Sequence, residues 1–152
     1  MFKSAALLVI LLSLPAHPQA AKTPAQDEAE IRAARSFSNK SIARRNLLGV
    51  GDSLDTDFNA IVGDGSFVAT RAEYLRLFKQ DFDSPRTAIR YERIADTVQV
   101  SASAPLAAEH GHWIGTKPDG SVAFTGTYMA MWRHGPVGWK IRSELYVTLT
   151  AR

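Results

Sequence analysis

The chain of 152 residues contains no cysteine. Neither a disulfide framework nor a lipid-modified thiol can hold or anchor it, so the fold must rest on a packed core. Excess charge of one sign is lacking too: Lys and Arg total 18 against 15 Asp and Glu, a net +3. The only local basic runs are Arg44-Arg45 and Arg90 to Arg93, the latter interrupted by Glu92. Nucleic acid asks for a concentrated basic face, and none is present. The apolar run Ala5 to Leu14 is too short to cross a bilayer as a helix. Gly49-Val50-Gly51 lacks the preceding strand and the following Gly that would make it a phosphate loop. There is no Ser nucleophile elbow, no amphipathic basic helix, no internal repeat, and no low-complexity segment beyond the first residues.

What is present is an ordinary globular composition, 45% hydrophobic and 22% charged. Met1 to Ala21 has the three parts of a secretory signal: Lys3, the apolar run, and the small residues Ala20 and Ala21 before Lys22. Cleavage is expected to leave one domain, residues 22–152, that is periplasmic or secreted and free of the membrane. About 130 residues suffice for a real core. Thr23-Pro24-Ala25-Gln26 has the form of a capping box with Pro at the first helical position. Ile31, Ala34, Phe37 or Ser38, and Ile42 then predict a helix to about Arg45 with one apolar stripe. Asn46 to Asp57 reads as a short, irregular helix or turn, because Gly49 and Gly51 weaken it. Phe58 to Val62 is a strand turning at Gly63-Asp64-Gly65 into Phe67-Val68, and Thr70 with Glu73 opens a helix from Arg71 to about Phe82. Asp83-Ser84-Pro85 ends that helix. Ala88 to Ile94 and Thr97 to Ser103 read as two short strands around Ala95-Asp96.

Three long strands follow, Leu106 to Lys117, Ser121 to His134 and Gly138 to Thr150. Helices first and strands last describe an α+β domain, a cone-shaped curved antiparallel sheet with helices packed on its concave face. The open mouth of such a cone admits a small ligand. Which residues face it depends on register, since a slip of one residue exchanges the two faces. Lys117-Pro118-Asp119-Gly120-Ser121 fits a turn with Gly120 left-handed and Lys117 paired to Ser121. Counting back places His112 opposite Gly126 and His110 opposite Tyr128. The expected helix-side face then carries His110, His112, Tyr128 and Trp132, with Trp139, Ile141, Ser143, Leu145 and Val147 from the last strand. The expected outer face carries Glu109, Trp113, Met129, Met131, Arg142, Glu144 and Tyr146, and suits the sheet of a partner subunit. A four-residue loop would instead bring Glu109 and Trp113 into the pocket.

Ala108-Glu109-His110-Gly111-His112-Trp113, Gly126-Thr127-Tyr128, Met131-Trp132-Arg133, Trp139-Lys140-Ile141 and Ser143-Glu144-Leu145-Tyr146 together resemble the family called domain of unknown function 4440. That family is SnoaL-like and belongs to the nuclear transport factor 2-like superfamily. Ser41 to Arg45, Asp57-Phe58 and Thr70-Arg71 extend the resemblance to roughly Ala29 through Leu149. It departs at Asn46 to Asp55, where the family has a regular second helix. The resemblance implies a cone-shaped α+β fold, a hydrophobic cavity and dimers through the sheet. The superfamily includes ketosteroid isomerases, polyketide cyclases, dehydratases and domains that only bind, and a fold alone does not choose among them.

The leading expectation is an exported homodimer that binds a small apolar or aromatic molecule, lined by His110, His112, Tyr128 and Trp132. One alternative is a cofactor-independent isomerase or cyclase in which His110 moves a proton and Tyr128 steadies an enolate oxygen. Another is a dimeric interaction module with no ligand. No cofactor is expected. His110 and His112 alternate as metal ligands can, but Thr116 to Ser121 offers only Asp119, in a turn, as the further carboxylate, so no metal is expected either. Glu109, Arg142 and Glu144 on the outer face suit a dimer rim or a solvated surface better than a buried network.

Overall fold

The structure is a computed structural model that describes residues 22–84 and 89–152. The leader, Pro85 and Ala88 lie outside those residues. In chain order the elements are α1 (Pro24–Ala43), α2 (Leu47–Ser53), β1 (Leu54–Ile61), β2 (Phe67–Val68), α3 (Arg71–Phe82), β3 (Arg90–Val100), β4 (Leu106–Thr116), β5 (Val122–Gly135) and β6 (Gly138–Ala151). Six strands form one curved, unclosed sheet in the order β2-β1-β6-β5-β4-β3. All neighbouring pairs are antiparallel except β1 with β6, so the expected antiparallel sheet is mixed at one seam. The helices cover one face, giving an α+β domain of the expected architecture.

Local chemistry sets the helix ends. The Thr23 hydroxyl accepts from the Gln26 amide at 3.3 Å, and Gln26 Oε1 returns to the Thr23 amide at 2.8 Å, completing the capping box. Thr70 caps α3 in the same way, accepting from the Glu73 amide at 3.2 Å. Of the segment expected to be irregular, Leu47–Ser53 is a helix of seven residues capped by Asn46 with both glycines buried, and residues 54–57 already belong to β1. A Cβ at Gly49 would overlap Ser41 of α1, and one at Gly51 would crowd Arg71 of α3. They are therefore the contact residues of α2, and its sequence is poor in helix propensity because its neighbours are close.

Bulges control the sheet. The Lys117–Ser121 turn is as the sequence predicts: the Lys117 amide donates to the Ser121 carbonyl at 2.8 Å, and Gly120 has φ +86°. One step further on, Ala123 is an extra residue, so Gly115 pairs with Phe124 while Thr116 pairs with Val122. That bulge cancels the phase set by the turn and brings Gly111, not His110, opposite Tyr128. A second bulge at Arg142 turns Glu144 and Tyr146 to the side of Trp139 and Ile141. A third at Asp96 makes a single strand of the two short ones expected around Ala95-Asp96.

The expected faces are therefore exchanged on β4 and on the second half of β6. Glu109, Trp113, Tyr128, Trp132 and Glu144 face the helices and are buried, while His110, His112, Met129, Met131, Leu145 and Val147 are exposed on the outer face. The core lies between α1, α3 and the sheet, centred on Trp132, Phe58, Ile31 and Ile141, each with no measurable exposure.

Candidate functional site: a buried charge network beside an aromatic cavity

The apolar stripe of α1 carries an intruder. Ile31, Ser38 and Ile42 are buried as the periodicity requires, and Arg35 is buried among them. A buried guanidinium needs carboxylates, and two strands supply them. Arg35 Nε donates to Glu109 Oε1 at 2.9 Å and Nη2 to Oε2 at 3.2 Å, a forked pair, while Nη1 donates to Glu144 Oε1 at 2.8 Å. Its charged plane lies 5.2 Å from the centroid of the Tyr128 ring and 5.1 Å from that of Trp132. Glu109 also accepts from the Tyr128 hydroxyl and the Trp132 indole, and Glu144 Oε2 accepts from the Tyr74 hydroxyl at 3.2 Å.

With four donors on it, the Glu109 carboxylate has no free site for a substrate proton. Burial pushes the Glu144 carboxyl up, but Arg35 and Arg93 outweigh it and hold the group below its ordinary value of 4.5. Burial lowers the Arg35 pKa, yet Glu144 and Glu109 carry it well above its ordinary value. The Tyr128 hydroxyl is pushed far up by burial and by Glu109, so it donates and does not ionise. This cluster is structural, a clamp that binds α1 to β4 and β6.

Beside the clamp, α3 stands off the sheet and leaves a cavity of about 420 Å³. Its walls are largely aromatic, including Tyr74, Phe78, Tyr91, Trp113, Phe124 and Tyr146. The rings touch one another: Tyr74–Phe78 at 5.0 Å, Tyr91–Trp113 at 6.0 Å, Trp113–Tyr146 at 6.3 Å. Trp113 can lie across the sheet because Gly126 has no side chain, since a Cβ there would overlap the indole nitrogen. Three lining residues hold buried polar atoms without a hydrogen-bond partner: Arg93 Nε, Trp113 Nε1 and the Tyr146 hydroxyl. The Tyr146 hydroxyl lies close enough to Glu144 to be pushed well up by burial and that charge, but no acceptor is aligned with it. Half-buried Asp81 also lines the cavity, its carboxyl raised by burial and only partly offset by Arg45.

The residues expected to form the pocket are divided by the sheet. His110 is exposed and opposite Met129, and His112 is exposed with Nδ1 3.1 Å from Asp96 Oδ1. Tyr128 and Trp132 face the helices but are engaged by Glu109, so His110 and Tyr128 cannot meet. The reason is the Ala123 bulge. Glu109 and Trp113, the residues of the alternative register, do face inward. Glu109 and Glu144 share a buried network after all, joined by Arg35, while Arg142 instead donates to the Asp57 carbonyl. Arg35, Asp81 and Arg93 escaped the sequence reading. Arg35 carried a signal, a charged residue four positions after Ile31 on an otherwise apolar stripe.

Among the described residues, Asp27, Glu30 and His134 bring ligand atoms within 4.8 Å of one another. Asp27 accepts from Trp139 Nε1 at 3.0 Å and Glu30 from Lys22 at 2.5 Å, so both carboxylates are already engaged.

No family model matches this chain, and no curated protein does. Solved structures do. A domain of unknown function with a cystatin-like fold from Nostoc punctiforme aligns with a TM-score of 0.72 at 21% identity, over 85% of this chain and 81% of that one. A nuclear transport factor 2-like protein with a cystatin-like fold from Novosphingobium aromaticivorans aligns with a TM-score of 0.72 at 16% identity, covering 84% and 85%. A ketosteroid isomerase-like protein from Erwinia carotovora atroseptica gives 0.66 at 14%, covering 82% and 98%. The chain thus has the nuclear transport factor 2-like, cystatin-like fold.

Replacing Arg35 with Met should cost about 3–5 kcal/mol in chemical denaturation, because it leaves two buried carboxylates without their cation. The same variant should alter acid sensitivity. In the native chain the lowered Glu144 contributes stability that is complete above its ordinary 4.5 and is lost as pH falls through its folded value. Without Arg35 that contribution disappears, and pH-dependent unfolding should show Glu144 disfavouring the charged form instead.

Proposed function

We propose that this chain binds a small apolar or aromatic molecule in the cavity between α3 and the sheet. The carrying observation is the cavity itself, about 420 Å³ walled by aromatic rings. A concave, ring-walled cleft of this volume falls in the range of small-molecule sites. The fold is also that of a protein described as ketosteroid isomerase-like. His110 lies on the outer face and Tyr128 on the inner one, so the isomerase alternative built on that pair has no geometric support.

A panel of small aromatic molecules should raise the melting temperature of the domain, and a member at 100 times its Kd should add about 2.7 kcal/mol. Leu77→Trp, at a lining position 38% exposed, should fill the mouth and remove that stabilisation without unfolding the chain. If no panel member stabilises the native protein, the cavity is not a binding site.

Export belongs to the same proposal, supported by the leader pattern of Met1 to Ala21. Mass spectrometry of the protein from its native host should find Lys22 at the amino terminus of a chain outside the cytoplasm. A full-length cytoplasmic chain would overturn it.

We also propose a second copy of this chain on the outer face. Met129, Met131, Leu145 and Val147 are 39–47% exposed there, in neighbouring register positions of β5 and β6. His110, His112 and Ser143 border them, an apolar centre with a polar rim, and one sheet face meets its own copy readily about a two-fold axis. Sedimentation at micromolar concentration should give a dimer, and Met129→Glu should give a monomer with the same circular dichroism. A monomeric native protein refutes this.

A further inference from the structure

The cavity's polar atoms favour one kind of guest. Arg35, Glu109 and Glu144 are bonded directly to one another, but Arg93, just 4% exposed, makes no ion pair among the described residues. Its Nη2 donates to the Ser38 hydroxyl at 2.8 Å, a neutral acceptor, and its Nε donates to nothing. Glu144 acts on it only across a distance, with both carboxylate oxygens taken by Arg35 and Tyr74. Trp113 Nε1 is a second unmatched N–H in the same cavity wall. The Tyr146 hydroxyl is a third, and since buried polar groups are almost always satisfied, three unmatched donors on one cavity call for an acceptor from outside the chain. Where one donor belongs to a guanidinium that no carboxylate bonds directly, an anionic acceptor makes the stronger, charge-assisted bond.

Position along β3 gives the guest a direction. Arg93 lies deep beneath α1, while Tyr91, two residues toward the strand's start, is near the rim carboxyl Asp81. An anionic head therefore meets the carboxyls Asp64 and Asp81 at one part of the wall and finds its donors at Arg93, which Glu144 offsets only across a distance. Between these ends the walls are rings.

We propose that the ligand is a small aromatic or apolar carboxylic acid, its carboxylate held by Arg93 and Trp113 and its hydrocarbon body laid among Phe78, Tyr91 and Phe124. This rests on the cavity being a binding site, and it adds the head group and the orientation.

Calorimetry with cinnamate, cinnamamide and cinnamyl alcohol at pH 7 tests it, since the three share one body and differ in the head. Cinnamate should bind at least ten-fold tighter than the alcohol, with the amide between them. Trp113→Phe keeps a ring and removes one N–H, and should weaken cinnamate several-fold while leaving the alcohol unchanged. Arg93→Met should erase the preference for the acid. In nuclear magnetic resonance spectra of the native chain, the Trp113 indole N–H should move on adding cinnamate and not on adding the alcohol. Equal affinity for all three, or binding of other aromatic molecules with none of these three, overturns the carboxylate and leaves the cavity reading standing. Failure of the whole aromatic panel removes both.

Discussion

The fold depends on one guanidinium kept out of water. Arg35 stands on the face of α1 that must meet the sheet, and it can be buried only where carboxylates wait. Glu109 from β4 and Glu144 from β6 meet that need from opposite sides of β5, so α1 is tied to two strands that flank a third. Slipping β4 by one residue would expel Glu109 and strand Arg35, a penalty larger than any gain in apolar contact. Direct ion pairing thus does more here than hold elements together: it specifies the phase in which they meet. Tyr128 and Trp132 reinforce that phase, each giving its polar hydrogen to Glu109 while its ring lies beside Arg35.

This explains which parts of the structure were legible in the sequence. Helix ends could be read because their signals are local: Thr23 with Gln26 and Thr70 with Glu73 each act within one turn. The Pro118–Gly120 turn could be read for the same reason, and it forms as expected. The faces of β4 could not be read from that turn. The bulge at Ala123 has no local composition to announce it, and its cause lies in the buried partners of Glu109, far away in sequence. On β5, by contrast, Tyr128 and Trp132 face the helices as expected, since two large aromatics at four-residue spacing share a face in any register, but they serve Glu109 and do not line the cavity. The early part of β6 followed from Trp139 and Ile141 likewise, and the Arg142 bulge then reversed what came after.

Gly49 and Gly51 show a related limit. Propensity argues against a helix at those positions, yet α2 forms, because Ser41 and Arg71 approach too closely for a side chain. Tertiary packing overrides a preference of about 1 kcal/mol per glycine. The same economy of space appears at Gly126, whose missing Cβ makes room for the Trp113 indole and so shapes the cavity wall.

Two arginines on one side of one sheet therefore have opposite fates. Arg35 is saturated by carboxylates, and the strands around it are fixed. Arg93 comes from β3, next to a register shift at Asp96, and its nearest hydroxyl belongs to Ser38, a side chain too short and too neutral to match it. A chain selected only for stability would fill the space before Arg93 with an apolar side chain or give it a carboxylate, since either removes an unmet donor. The cavity retains both the space and the donor. A cleft walled by rings and ending in a guanidinium that bonds directly to no carboxylate is costly as a core and serviceable as a receptor, and that contrast with the directly paired clamp beside it is the strongest physical reason to read it as a site.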